Sequence, residues 1–165
     1  RGPGGTAGRF KRREEPGGVF SFSLGGGGGG TVSNRHKLTF TAEPQHIDVM
    51  GHVNNAVWVQ WMEALATAHW EAAALPEHQA KYVWVVTRHE IDYRGNISEG
   101  ESVTAETFIP EGPIGARFDR CVEFRNAAGK VIVAARSTWA MIDAASGRLC
   151  RVPPEVAEPF GPFGS

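Results

Sequence analysis

The chain carries, at residues 45–74, the sequence QHIDVMGHVNNAVWVQWMEALATAHWEAAA. Its second part, residues 55–74, contains neither Gly nor Pro, and this predicts a long helix. Asn54 or Asn55 can be its N-cap, because an amide side chain accepts hydrogen bonds from free backbone N–H groups. Apolar residues occupy nearly every face of the predicted helix, a pattern typical of a helix buried on most sides. The rest of the chain must therefore supply the surface that surrounds it.

Five segments with the alternating pattern of half-buried strands flank this helix. One precedes it, at residues 37–43, and ends at Pro44. Four follow it, separated by Gly- and Pro-containing turns, at residues 82–93, 102–111, 117–126 and 131–143. Short connections join the last three, so we expect an antiparallel meander. The pattern predicts an α+β fold in which a curved antiparallel sheet wraps around one long central helix, with residues 149–160 as a short proline-rich tail.

The two ends of the chain differ in composition. Residues 1–36 include six consecutive glycines and are predicted to form a flexible lead, because consecutive glycines offer nothing to pack. The first residue is Arg rather than Met, and we expect the native protein to begin near Val32. Residues 37–160 form the predicted folded domain, and residues 161–165 follow it as a tail.

The charge and the cysteine content exclude several classes of protein. Residues 37–165 carry eleven Lys and Arg against sixteen Asp and Glu, so a basic face for nucleic acid is not expected. No stretch reaches the about 20 apolar residues of a membrane span, and no apolar signal segment is found, so no membrane partner is expected. Cys121 and Cys150 form no CxxC pair, which favours reduced thiols, a cytoplasmic location and no metal site. The chain also lacks a G-x-S-x-G motif, so a serine hydrolase is not expected.

The loop before the helix combines several groups that suit acyl-transfer chemistry. Asp48 lies among the apolar residues Ile47, Val49 and Met50, and its partial burial by them would raise its pKa. Gly51 permits a backbone path that other residues resist. The start of the helix offers free N–H groups and a partial positive charge, which suit a developing oxyanion. A carboxylate beside such donors can attack a carbonyl or deprotonate a water without a metal.

Taken singly, these residues have simpler explanations. Asp48 can cap its own turn, Asn54 and Asn55 can be ordinary helix caps, and His52 can be a solvated surface residue. Glu63 lies just over two helical turns after Asn55, on roughly the same side. It can contact a substrate, or it can form a salt bridge on the helix surface or between subunits.

Residues 48–55 read DVMGHVNN, and the helix that follows holds Trp58, Trp61 and Glu63. Together they resemble the hotdog-fold thioesterases, in particular the 4-hydroxybenzoyl-CoA thioesterase-like acyl-CoA thioesterases. The resemblance covers about residues 37–160. It implies a hotdog fold and a hydrolase that cleaves an acyl thioester, acyl-CoA above all, to the free acid and CoA.

The resemblance also implies roles for individual residues. Asp48 falls on the catalytic carboxylate, as nucleophile or general base, and the backbone N–H groups near Asn54 and Asn55 fall where the thioester oxygen is polarised. The more distant acyl-ACP thioesterases carry Asn and His two and four residues after the Asp. His52 matches that pattern and Met50 does not, so the carboxamide role is absent or falls to another residue such as Asn54.

The expected catalytic residues are Asp48, His52, Asn54 and Asn55. The residues expected to contact the substrate are Gly51, Val53, Trp58 and Glu63. Coenzyme A is expected as part of the substrate, and no separate cofactor is expected. An unpaired edge strand favours a homodimer or homotetramer. The resemblance to hotdog enzymes, some of which complete the site with residues of a partner subunit, implies that one of Arg88, His89 and Glu90 can approach Asp48 of another subunit. Two alternatives are hydration or dehydration of an acyl thioester and a non-catalytic module that binds acyl-CoA or acyl carrier protein.

Overall fold

The computed structural model describes residues 34–163. The predicted lead up to residue 33, including the expected start near Val32, lies outside these residues. The elements, in chain order, are β1 (His36–Thr41), α1 (Asn55–Ala73), α2 (Pro76–Lys81), β2 (Tyr82–Tyr93), β3 (Ser102–Phe108), β4 (Arg117–Arg125), β5 (Val131–Asp143) and α3 (Pro154–Ala157). Short 3-10 turns occupy Pro44–His46 and Glu158–Phe160. Within residues 34–163, no helix is both long and apolar enough to cross a membrane.

The five strands form one antiparallel sheet in the order β1-β3-β4-β5-β2. Its strands alternate buried and exposed side chains, as period-2 pleating requires; on β4 the buried positions are Phe118, Arg120, Val122 and Phe124. The predicted meander of β3, β4 and β5 is confirmed. β1 and β2 form the two edges of the sheet, and a bulge between Val86 and Arg88 interrupts the register of β2.

The strand boundaries differ from the predicted ones by three residues or fewer. β2 and β5 match their predicted ranges, and β4 ends one residue early. β3 ends at Phe108, because Pro110 has no N–H to continue the ladder. β1 begins at His36, which pairs with Thr107, so residues 34–36 belong to the described fold and not to the predicted lead.

Helix α1 lies on one face of the sheet, against β1 and β3. Asn54 is its N-cap, as predicted, and its Oδ1 accepts a hydrogen bond from the N–H of Ala56 at 2.9 Å. The buried residues follow helical spacing: Val57, Trp58, Trp61, Met62, Leu65, Ala66 and His69. In the single chain the opposite side is exposed, including Ala64 and Thr67. The helix is therefore buried along one side rather than on most sides, because many outward apolar residues are alanines, which helices favour at any depth.

The C-terminal residues complete the apolar core, and the prediction of a tail at residues 149–160 was wrong. Val156, Ala157 and Phe160 are buried against Phe118 and Met141 of the sheet. The prolines that suggest an irregular tail instead occupy first helical positions, where a missing N–H costs nothing. The segment therefore closes one end of the space between α1 and the sheet.

Candidate active site

Backbone pairings join the two sides of the loop that precedes α1. Ile47 pairs with Val53, Asp48 with His52, and His46 with Asn54. Gly51 lies in the turn with φ of 75°, a conformation that a side chain would strain. This closure returns the chain toward its starting point. It places Asp48 beside the residues that begin the helix.

The carboxylate of Asp48 is held by one oxygen and free at the other. Oδ1 accepts hydrogen bonds from the backbone N–H groups of Met50 at 2.9 Å and His52 at 3.3 Å. Oδ2 has no hydrogen-bond partner within residues 34–163. The turn-capping explanation is thus confirmed, and it is compatible with chemistry because the anchored group still presents a free oxygen.

The apolar surroundings expected for Asp48 are not formed by its neighbours within the single chain. The side chains of Val49 and Met50 are 102% and 76% exposed, because the tight turn directs them outward. Asp48 itself is half-buried. The two exposed apolar side chains instead form a surface beside the carboxylate.

The start of α1 leaves one backbone donor free. The N–H of Ala56 bonds to the Asn54 side chain, and the N–H of Val57 bonds to the Asn54 carbonyl, both at 2.9 Å. The N–H of Asn55 has no acceptor within the described residues. It lies at the positive end of the helix, so it can donate to a developing oxyanion. The Oδ1 atom of Asn54 is already occupied by capping.

Asn96, which the sequence did not single out, holds the end of this loop. Its Oδ1 accepts from the N–H of Val53 at 3.1 Å, and its Nδ2 donates to the Val53 carbonyl at 3.2 Å. Val53 is fully buried, so it fixes the loop rather than offering a surface. Asn96 lies in a predicted turn, where Asn usually signals only turn formation.

The remaining predicted residues lie in three different environments. The His52 side chain is exposed. Trp58 is fully buried in the core, with ring centroids 5.2 Å from Trp61 and 5.0 Å from Phe124. Glu63 is half-buried and has no ion-pair partner among residues 34–163. On β2, Arg88 pairs with Glu90 at the surface, while His89 bonds to Ser137.

A cavity of about 260 Å³ lies beside the C-terminal half of α1 and the first residues of β2. Its aromatic lining residues are Trp70, Tyr82, Trp84, Phe118, Trp139 and Phe160. Thr67 also lines it, twelve positions after Asn55 on the same helix, which corresponds to about 18 Å along the axis. Within one chain the cavity and the Asp48 loop are therefore at different ends of α1.

A polar network lies next to this cavity in the apolar interior. Arg120, 8% exposed, donates through Nη1 to Nδ1 of His69 at 2.8 Å and to Oγ1 of Thr107 at 2.9 Å. Since Arg can only donate, Nδ1 of His69 accepts, and the ring proton lies on Nε2, which contacts Oδ1 of Asn34 at 3.1 Å. Burial, followed by the charges of Arg120 and His36, lowers the pKa of His69 to about 3, so its ring is neutral.

The sequence of the chain matches the model of the Thioesterase-like superfamily over residues 42–160. The chain belongs to this superfamily. The matched region runs from the end of β1 to Phe160 and includes the Asp48 loop and α1. The resemblance to thioesterases is thus confirmed, as is the expectation of a thioesterase-family hydrolase at the level of the family.

One curated relative matches this thioesterase-like chain over about half of its length. A chloroplastic acyl-[acyl-carrier-protein] hydrolase of Cuphea viscosissima is 28% identical over 82 residues. That match covers 49% of this chain and 20% of the hydrolase, so the chain spans about a fifth of the length of this curated relative.

Solved structures share the fold. An acyl-ACP thioesterase from Bacteroides thetaiotaomicron superposes with a TM-score of 0.67 at 24% identity, covering 75% of this chain and 52% of that one. A hypothetical protein from Staphylococcus aureus, solved in complex with CoA, gives a TM-score of 0.70 at 14% identity, covering 80% and 85%. These similarities confirm the predicted hotdog fold.

Proposed function

We propose that this thioesterase-like protein hydrolyses an acyl thioester at the Asp48 loop. The observation that carries the proposal is a pair of groups without partners among the described residues, at the two ends of residues 48–55: Oδ2 of Asp48 and the N–H of Asn55. A carboxylate oxygen and an oxyanion donor are the two groups that the reaction needs. Membership of the superfamily supports the reaction class.

Asp48 can act by either of two routes. As a nucleophile, Oδ2 attacks the thioester carbon, the C–S bond breaks, the CoA sulfur leaves as thiolate, and water then hydrolyses the mixed anhydride. As a general base, Oδ2 takes a proton from the water that attacks the same carbon, and the C–S bond then breaks to release the free acid and the CoA thiolate, which takes up that proton. In both routes the carbonyl oxygen gains negative charge, which the Asn55 N–H and the helix start stabilise. The backbone donors of Met50 and His52 hold the carboxylate in place, so it needs little reorganisation.

Acyl-CoA is the substrate class that we favour. The S. aureus protein of the same fold was solved in complex with CoA, and the excess of acidic residues over residues 37–165 would repel an acidic carrier protein. A carrier-protein thioester is the second candidate, because the Cuphea and Bacteroides relatives are by name hydrolases of acyl carrier protein thioesters.

A homodimer through β2 would bring the cavity and the Asp48 loop together. β2 pairs only with β5 in the described sheet, so its other edge is open, and Val83 and Val85 are exposed beside it. Antiparallel pairing of two β2 strands sets the first residues of one against the last residues of the other. Tyr93, the last residue of β2, has its hydroxyl 3.4 Å from the Asn55 carbonyl. The cavity of one copy would therefore approach the helix start of the other, and a homotetramer would join two such pairs.

Thiol release from a panel of short, long and aromatic acyl-CoAs tests the reaction. Asp48→Asn should lower kcat by at least about 100-fold, because a carboxamide is neither a base nor a nucleophile. Its melting temperature should stay close to that of the wild type, because the Asn Oδ1 can still accept from Met50 and His52. Glu99→Gln, which removes an exposed carboxylate elsewhere, is the matched control and should keep full activity.

Equal turnover by Asp48→Asn would remove Asp48 from the mechanism. No release by the wild type across the whole panel would favour a carrier-protein substrate or a non-catalytic binding module.

A further inference from the structure

The cavity beside α1 has one charged lining residue, Arg120, and no carboxylate among its lining residues. Arg120 is nearly fully buried, and its only partners within residues 34–163 are the neutral side chains of His69 and Thr107. A buried charge without a counter-ion is strongly unfavourable. The cavity is therefore lined by a positively charged side chain that has no negatively charged partner among the described residues.

Both hydrogen bonds of Arg120 use Nη1, whose two hydrogens they occupy. Nε and Nη2 make no hydrogen bond within the described residues. These two atoms form one edge of the planar guanidinium, and that edge can bind both oxygens of a carboxylate side by side. The contacts with His69 and Thr107 hold the group in place before a ligand arrives, which reduces the entropy lost on binding.

Two tryptophans that line the cavity also contain donors without a partner, but these donors are enclosed by the protein. The indole N–H groups of Trp84 and Trp139 are buried and make no hydrogen bond within residues 34–163, and both side chains line the cavity. Buried donors in folded proteins nearly always have an acceptor. These two N–H groups have almost no accessible surface, so the free edge of Arg120 is the donor that the cavity offers to an acceptor-bearing ligand.

We propose that this cavity selects acyl groups that end in a carboxylate, which the free edge of Arg120 binds. The inference rests on the proposed function and names the acyl class of that reaction. An engineered cavity of about 150 Å³ binds benzene, so a volume of about 260 Å³ has room for a ring and a carboxylate. The aromatic walls favour a planar ring by stacking. A short carboxylate-ended alkyl chain has the same end group and is the second form of this class.

Binding of thioester-free probes tests the pocket independently of hydrolysis. Monomethyl terephthalate carries a carboxylate, and methyl 4-methylbenzoate has a similar shape without charge. By titration calorimetry on the full chain, the wild type should bind the acid at least tenfold more tightly than the neutral ester. Arg120→Met should lose this preference, and Arg120→Lys should keep part of it, because an ammonium is a charge without the bidentate edge.

The hydrolysis ratio tests selectivity in the reaction. For an aromatic acyl group, the wild type should show at least tenfold higher kcat/KM for 4-carboxybenzoyl-CoA than for 4-methylbenzoyl-CoA. For an alkyl acyl group, it should show at least tenfold higher kcat/KM for adipoyl-CoA than for hexanoyl-CoA. The pair that shows this difference identifies the acyl group as a ring or as a chain. Arg120→Met should abolish the ratio. A purely structural role of Arg120 would lower both members of each pair alike and leave their ratio unchanged.

The outcomes separate this proposal from the proposed function. Carboxylate-selective binding without hydrolysis of any acyl-CoA supports the pocket and contradicts the proposed acyl-CoA substrate, whereas hydrolysis without selectivity does the reverse. Equal or absent binding of the two probes by the wild type overturns the pocket. That comparison decides even where Arg120→Met does not fold.

Discussion

His69 shows at the scale of one residue how the interior of this protein constrains its chemistry. The ring is fully buried, accepts a hydrogen bond from Arg120 and stacks on His36 with centroids 5.5 Å apart. Burial and the charge of Arg120 lower the pKa of both histidines, that of His69 to about 3. A neutral His69 can accept the hydrogen bond that orients Arg120, whereas a protonated ring cannot.

The same shift predicts a loss of stability in mild acid. An unfolded histidine binds a proton as pH falls through about 6.5, and the folded His69 does not, so unfolding takes up a proton and becomes easier between pH 6.5 and 3. Each pH unit in this window costs up to about 1.4 kcal/mol for such a group. The melting temperature of the wild type should therefore fall from pH 7 to pH 5. His69→Gln should be less stable at pH 7 and should lose less on acidification.

The exposed His52 gives the control, because His52→Gln should keep the wild-type slope. The range above pH 5 isolates the histidines, since the carboxyls of Glu106 and Asp119, whose pKa values are lowered, act at lower pH. An unchanged slope in His69→Gln would contradict the assignment of this pH dependence to His69.

Distance along the chain explains which residues could be predicted from the sequence. The side chains of Asp48 and Asn54 bond to backbone groups within four residues, and the N–H of Gly51 bonds to the Asp48 carbonyl; a short motif records this turn and cap chemistry. Arg120 and His69 are 51 positions apart, and no local pattern pairs them. One signal was present: Arg120 occupies an inward position of the alternating β4 strand, where a charged residue is rare unless it has a special partner.

At the scale of elements, the C-terminal segment shows how composition misled the prediction. Its prolines break any periodic pattern, so α3 and the following turn leave little trace in the sequence. Yet Phe160 packs on Trp70, Phe118 and His69 and is 2% exposed. The segment is part of the core because several elements converge on one aromatic ring. The strands were predictable, since each strand has its own alternation of apolar and polar residues.

Phe160→Ala should destabilise the protein by about 3–5 kcal/mol, because it deletes a buried ring from a packed cluster. Phe163→Ala is the matched control, since Phe163 is 37% exposed and touches the same Phe118, and its loss should be much smaller. Urea unfolding measures both, with the slope m expected to stay constant. Equal losses would mean that residues 154–160 contribute little to the core, as the predicted tail would.

At the scale of the whole molecule, the single chain separates the two parts that the proposed reaction uses. The Asp48 loop lies at the start of α1, and the cavity lies about 18 Å further along the same helix. The open edge of β2 begins beside the cavity and ends at Tyr93, next to Asn55. Two chains paired along this edge would form two sites, each with the loop of one copy and the cavity of the other. Such pairing would give the proposed homodimer a catalytic role.

A negative charge introduced on β2 tests this arrangement. Antiparallel pairing sets the exposed valines at the start of one β2 against the exposed acidic residues Glu90 and Asp92 near the end of the other. Val85→Glu should therefore oppose like charges and raise the dimer dissociation constant at least tenfold by sedimentation velocity. Thr39→Glu, at an exposed position on β1 at the other edge of the sheet, matches the change in strand propensity and should leave assembly unchanged. Hydrolysis by Val85→Glu should fall in proportion to the monomer fraction, because a lone chain keeps Asp48 and the cavity apart. A monomeric and fully active Val85→Glu would show that one chain holds a complete site.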